Sequence, residues 1–179
     1  QIEGKLKAAL IYQQNDGLLF LEPSQTVAEL FPGVFVPTAI YQQFSNGGGT
    51  DLYGVELSLS GKASETVNWD INYAYINLKD DALQALQSDE RRSPHHRVNA
   101  HIGYTQDKFS LDLYGQYVSQ YVEAAEVLDG YFKMAANINY NITDNVTLSV
   151  SGTNLTGGNH ESYITATETQ AWASLRVSF

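Results

Sequence analysis

The end of the chain constrains the fold most strongly, because its side chains alternate in character from residue 171 to the terminal Phe179. Trp172 is the one apolar residue on the polar side of this pattern. A period of two is the signature of a β-strand with one apolar and one polar face. The apolar face carries Ala171, Ala173, Leu175, Val177 and Phe179, and the polar face carries Ser174, Arg176 and Ser178.

The same alternation recurs along the chain and predicts an all-β, antiparallel fold. The second segment is interrupted by three consecutive glycines, which predict a bulge there. We expect eight strands, near residues 4–20, 38–61, 67–75, 98–105, 109–114, 132–140, 146–151 and 171–179.

Short and long connections follow each other in strict order between these segments. Three are short, at residues 63–65, 106–108 and 143–145, and four are longer, at 21–37, 79–93, 120–129 and 156–165. Short periplasmic turns and long extracellular loops are typical of outer-membrane barrels. We therefore predict a transmembrane β-barrel whose two chain ends lie on the side of the short turns.

The composition excludes several other classes of protein. The chain of 179 residues has no Cys and a formal net charge of −10, which argues against disulfides and against a nucleic-acid partner. No apolar run approaches the roughly 20 residues of a membrane helix. Mean hydropathy is −0.27, a value that suits a soluble protein but also a barrel, because only every second barrel residue faces lipid.

A soluble β-sandwich or barrel would also alternate apolar and polar residues. Against it, the polar positions here are mostly Ser, Asn, Gly and Thr rather than the Lys and Glu of a solvated face. Aromatic residues also recur near the strand ends, as in the girdles of membrane barrels. These residues are Tyr12, Tyr53, Trp69, Tyr104, Phe109, Phe132, Tyr140 and Phe179.

Four short motifs follow one another at spacings that suit a single family. They are YGVEL at 53–57, WDINYAY at 69–75, SPHHRVN at 93–99 and NLT at 154–156, followed by the final strand to Phe179. Together they resemble the carboxy-terminal barrel of TonB-dependent outer-membrane receptors, over roughly residues 4–179.

This resemblance implies a barrel of about 22 strands with a plugged lumen in the bacterial outer membrane. It implies uptake of a scarce nutrient, a ferric siderophore, with the extracellular loops contacting the ligand. The implied partners are outer-membrane lipid and lipopolysaccharide, the remaining strands and plug of the same receptor, and the TonB energy-coupling system through that plug. Residues 1–179 are expected to be a barrel segment without a plug domain, either a fragment of a receptor or a stand-alone piece.

Candidate ligand contacts cluster where the fourth predicted strand begins. Arg91, Arg92, His95 and His96 lie there, with Arg97 beside them, and guanidinium groups pair well with an anionic iron chelate. The alternative is solvated loop charge or contact with lipopolysaccharide. The adjacent histidines should point to opposite faces of a strand, so we expect no shared metal ion, and no cofactor is expected.

Two other functions compete with transport. Eight strands can close alone into a small structural or adhesive barrel without transport activity, its interior filled by side chains. An outer-membrane lipid enzyme would need a Ser–His pair, for which Ser93 and His95 are the only neighbouring residues, and no nucleophile-elbow motif is present. We therefore expect no enzymatic activity.

Overall fold

The computed structural model describes residues 3–17, 19–46, 48–80, 92–123, 126–157 and 168–179. These residues are organised in antiparallel strands, as the alternation predicts. In chain order the strands are β1 (Glu3–Asp16), β2 (Leu19–Phe31), β3 (Val34–Asn46), β4 (Gly49–Lys62), β5 (Val67–Asp80), β6 (His96–Gln106), β7 (Phe109–Val118), β8 (Tyr121–Glu123), β9 (Glu126–Leu128), β10 (Tyr131–Thr143), β11 (Val146–Thr153) and β12 (Gln170–Val177).

One sheet contains eight of these strands, in the order β1-β4-β5-β6-β7-β10-β11-β12. Every neighbouring pair is antiparallel, so the sheet is an up-and-down meander. Within the described part of the chain, β1 and β12 each pair with one strand only, and the sheet is open at both edges. It therefore has the form of a partial barrel.

Cross-strand pairing keeps the two faces of this sheet separate, because directly opposed residues share a face, except at the end of β10, where the register to β11 shifts between Asn141 and Thr143. One row across five strands pairs Ala8, Leu57, Tyr73, Val98 and Tyr117. We call the side that carries this row the apolar face. The opposite side, the polar face, carries rows such as Ser58, Asn72, Asn99, Gln116 and Lys133.

The connection between β1 and β4 differs from the sequence prediction. Residues 21–37 were expected to be a loop, but β2 and β3 form a separate two-stranded hairpin through this region. The long second strand predicted over 38–61 is wrong as well, since β3 ends at Asn46 and β4 begins at Gly49. Gly48 has a φ of +90°, which glycine alone adopts readily, so the glycine run separates two strands instead of making a bulge.

A smaller difference occurs between β7 and β10, where part of the predicted loop forms the short hairpin of β8 and β9. The short turns were predicted correctly. Asp107 takes a left-handed φ of +50° in the turn between β6 and β7, a conformation that Asp tolerates. Both β1 and β12 reach the end of the sheet that carries the short turns, as expected, and Ser178 N–H donates to Asn145 C=O beside one of them.

Two of the sequence motifs tie long loops to the sheet. In the SPHH motif, Ile76 N–H donates to His95 C=O at 2.9 Å and thereby joins the end of β5 to the start of β6. In the NLT motif, Leu155 N–H donates to Met134 C=O at 2.9 Å, and Thr156 Oγ1 donates to Phe132 C=O at 3.0 Å. These motifs therefore fix the ends of strands next to the loops.

Almost no apolar side chain is covered by protein. Among the described residues Val118, at 6% exposure, and Pro94 are the buried apolar side chains, whereas Leu10 is 86% exposed. A single-layer sheet has no second layer to cover its apolar face. No helix among the described residues is long and apolar enough to cross a membrane.

Candidate functional site

The apolar face is bounded by aromatic side chains at both ends of the strands. At the end with the short turns, the rings of Tyr104 and Phe109 lie 6.2 Å apart between centroids, and at the opposite end those of Tyr12 and Tyr53 lie 5.3 Å apart. Aromatic girdles on both sides of an apolar band mark the two interfaces of a bilayer. On this face the first belt carries Trp69, Tyr104, Phe109 and Tyr140, and the second carries Tyr12, Tyr53, Tyr73, Tyr75, Tyr117 and Phe132.

The polar face of β10 and β11 carries a ladder of amide and hydroxyl groups. Ser151 Oγ donates to Asn137 Oδ1 at 2.7 Å, and Ser149 Oγ donates to Asn139 Oδ1 at 2.6 Å. The next rung is a bond from Thr147 to Asn141. This part of the polar face is uncharged, and its members satisfy one another's hydrogen bonds.

A charged cluster lies on the polar face of the neighbouring strands β5, β6 and β7. His101 Nδ1 is 3.0 Å from Asp70 Oδ1, and His101 Nε2 is 3.0 Å from Asp112 Oδ1. The imidazole also stacks on the ring of Tyr114, with centroids 4.7 Å apart. The register explains the arrangement, since Asp70 and Tyr114 are the residues directly opposite His101 in the two flanking strands.

A pocket of about 330 Å³ lies at the end of the polar face where the long loops leave the sheet. Its floor is the row formed by Arg97, Val118 and Tyr131 in β6, β7 and β10. Tyr121, from the β8–β9 hairpin, lines it as well. We call it the rim pocket, and it is lined by Arg92, Pro94, Arg97, Gln116, Val118, Tyr121 and Tyr131.

The rim pocket combines cationic and aromatic groups. Burial raises the pKa of the Tyr121 phenol and the nearby Glu123 carboxylate raises it further, whereas the Arg97 guanidinium lowers it, so Tyr121 is a neutral hydrogen-bond donor near pH 7. Lys133 does not line the rim pocket, but its Nζ lies 5.1 Å from the centre of the Tyr131 ring. Guanidinium and phenol groups together can bind an anion that has apolar or aromatic surface.

The predicted site residues fall in different places. Arg92 lines the rim pocket, and Arg91 lies outside the described residues. His95 Nδ1 is 2.9 Å from Ile76 C=O, at the junction of β5 and β6. His96 lies on the apolar face, where its Nδ1 is 2.9 Å from the hydroxyl of Tyr73. The two histidines therefore do not share one site with the arginines of the rim pocket.

The sequence interpretation missed Tyr121, Tyr131 and Gln116 as lining residues of this pocket. Gln116 and Tyr131 lie near strand ends, and the period of two places both side chains on the polar face. The sequence pattern could therefore have identified them. Tyr121 sat within a predicted loop and gave no such signal. Among the described residues, no group of three or more His, Asp or Glu side chains is placed to hold a metal ion.

An uncovered apolar face between two aromatic belts, backed by a polar face in an antiparallel meander, defines part of the wall of a transmembrane β-barrel. The family model for the TonB dependent receptor-like β-barrel matches residues 3–155. The chain belongs to this family, which comprises receptors and transporters, not enzymes.

Solved structures of this family share the fold. The chain is 15% identical to the copper transporter OprC, with a TM-score of 0.65. The matched region covers 98% of this chain and 29% of that protein. It is 15% identical to the ferric-catecholate import receptor Fiu from E. coli K12 (TM-score 0.65, 97% and 25% covered). It is 16% identical to the siderophore receptor PiuA from Acinetobacter baumannii (TM-score 0.61, 96% and 25% covered). The chain thus spans about a quarter of such receptors, and no curated protein matches its sequence.

Proposed function

We propose that this chain is part of the barrel of an outer-membrane receptor that imports a scarce nutrient, an anionic ferric siderophore. The observation that carries this proposal is the rim pocket, where Arg92 and Arg97 meet Tyr121 and Tyr131 on the polar face below the long loops. A barrel presents this face to its lumen. A ligand arriving from outside the cell would therefore meet the pocket before it passes deeper.

The chemistry of the pocket suits an anionic chelate. Planar guanidinium groups bind carboxylate or phenolate oxygens through two parallel hydrogen bonds, and the phenol rings supply flat contact area. The net charge of −10 does not oppose this, because salt screens exposed charges beyond about 8 Å at physiological ionic strength. Groups inside the pocket therefore dominate the field that a bound ligand experiences.

The remaining parts of the proposal concern the whole receptor. We place this segment in the bacterial outer membrane, with its apolar face against lipid and lipopolysaccharide. Further strands would pair with the open edges of β1 and β12, because unpaired backbone groups in lipid each cost several kcal/mol. A plug would fill the lumen and transmit energy from TonB.

The mass of the natural polypeptide, measured after full denaturation, tests whether this chain is part of a larger receptor. A mass several times 19.8 kDa supports a receptor, and a mass near 19.8 kDa supports the stand-alone barrel.

The ligand proposal is tested by measuring the binding of ferric siderophores to the complete receptor. The quenching of tryptophan fluorescence reports the binding. Each of Arg92→Gln and Arg97→Gln removes charge-assisted hydrogen bonds of about 1.5–3 kcal/mol and should weaken binding by roughly 10- to 100-fold. Arg176→Gln is the matched control, since Arg176 lies on the same face at the end with the short turns. Equal affinities for all three variants and the wild type would refute the assignment of the pocket.

A further inference from the structure

The cluster of Asp70, His101 and Asp112 places one imidazole ring between two carboxylates. Both ring nitrogens lie 3.0 Å from a carboxylate oxygen, one on β5 and one on β7. The His101 side chain is 18% exposed, and those of Asp70 and Asp112 are 40% and 29% exposed. Asn72 Nδ2 donates a further hydrogen bond to Asp70 Oδ2 at 3.2 Å. The ring is thus held between three strands on the polar face.

This geometry favours a doubly protonated ring when both aspartates are ionised. A neutral imidazole has one N–H and one lone pair, so it can donate to one carboxylate only. The other carboxylate oxygen would then face a lone pair at hydrogen-bond distance, which is repulsive. The doubly protonated ring has two N–H donors, satisfies both aspartates and neutralises one of their two charges.

We propose that Asp70, His101 and Asp112 form a proton-dependent clasp that links β5, β6 and β7 on the polar face. In the closed clasp His101 is an imidazolium that donates to both carboxylates. When the ring loses one proton to water, one of its two hydrogen bonds is lost and the corresponding aspartate is released toward the lumen. The charge of the cluster then changes from −1 to −2.

The surroundings of the ring contain few other groups that could supply or take up this proton. The titratable groups that face His101 are Asp70 on β5 and both Asp112 and Tyr114 on β7. On β6 itself, the neighbours on the same face are Asn99 and Gly103, both neutral. Lys133 of β10 lines the same concavity but lies beyond β7.

The clasp forms part of the wall of a concavity of about 450 Å³ on the polar face. Lys133 and Gln116 line the same space, and Gln116 also lines the rim pocket. Opening of the clasp would add one negative charge to this space without moving the backbone. Any group held there would experience a pH-dependent field, so the clasp can act as a switch irrespective of what the receptor transports.

The experiment is NMR of the complete receptor in lipid nanodiscs with ¹⁵N-labelled histidine, the His101 signals being assigned by their loss in His101→Gln. At pH 7.5 an ordinary histidine is about one-tenth protonated, whereas the clasp predicts a larger doubly protonated fraction for His101. The double variant Asp70→Asn/Asp112→Asn keeps the shape of both side chains and should return His101 to the neutral form at pH 7.5.

Two results would overturn the clasp. One is a neutral single tautomer of His101 in the wild-type receptor at pH 7.5, which would place the shared proton on an aspartate instead. The other is a doubly protonated ring that stays unchanged in the double variant, which would mean that the carboxylates do not hold the charge. His95 provides a second histidine signal for comparison, and its Nδ1 lies 2.9 Å from the backbone carbonyl oxygen of Ile76.

Discussion

Leu113→Arg tests directly whether the apolar face of the sheet meets lipid. Leu113 lies on that face of β7, four residues from Phe109 and four from Tyr117, which belong to the two aromatic belts. With a rise of about 3.4 Å per residue and a strand tilt of about 40°, Leu113 is about 10 Å below one belt and above the other. It therefore occupies the middle of the apolar band.

The expected cost follows from this depth. Arg on the lipid face at the bilayer midplane costs about 2–4 kcal/mol, which lowers the folding equilibrium constant by roughly 30- to 700-fold. The matched control is Asn99→Arg, on the polar face of β6. It loses the hydrogen bond that Gln116 Nε2 donates to Asn99 Oδ1 at 3.0 Å, for which we expect at most about 1 kcal/mol.

Both variants are compared by equilibrium unfolding of the complete receptor from phospholipid vesicles. Tryptophan fluorescence reports the folded fraction, from which the free energy of unfolding is obtained. Leu113→Arg should lower the free energy of unfolding by at least about 1 kcal/mol more than Asn99→Arg does. If Asn99→Arg were the more damaging change, the polar face would be the one in lipid. If both changes were harmless, the apolar face would be in water, and the membrane assignment would fail.

The same unfolding assay checks two further predictions. Gly49→Ala would place a Cβ 2.7 Å from the backbone carbonyl oxygen of Asn15, which cannot rotate away, so we expect a loss of about 1–3 kcal/mol. Gly4→Ala, whose Cβ would lie 3.7 Å from its nearest neighbour, should be close to neutral, and equal effects would contradict the steric argument. Ser149→Ala removes the 2.6 Å hydrogen bond to Asn139 and should cost about 0.5–1.5 kcal/mol. A neutral effect would mean that water replaces the hydroxyl fully.

The candidate site was only partly predictable. The arginines at and before the start of β6 were predicted to contact ligand from their type and position, and Arg92 and Arg97 line one pocket, but ligand binding there stays a prediction. Tyr121 could not be assigned, because the conformation of a long loop is determined by tertiary contacts that leave no periodic pattern. The placement of His96 on the face opposite Arg97 follows from the period of two alone.

The sequence by itself determined that the large sheet has eight strands, the two faces of these strands and the side on which the short turns lie, but the bounds predicted for the first two strands, 4–20 and 38–61, were wrong. These features depend on side-chain alternation and turn residues, which are local properties of the chain. A shift by one residue would exchange the two faces, so the alternation also restricts the register. The sequence did not determine that residues 19–46 form their own hairpin, because both loops and hairpins tolerate mixed polar and apolar residues there.

Only the tertiary structure decided which polar groups meet. Asp70 and His101 are 31 residues apart in sequence, and His101 Nδ1 lies 3.0 Å from Asp70 Oδ1 because the β5–β6 register sets the two residues directly opposite each other. Asp112 reaches the same ring from β7, two residue pairs further along, where it is directly opposite Gly103. Alternation places all three on the polar face, but the register between strands brings them within hydrogen-bond distance, since pairing across a sheet is a non-local property of the fold.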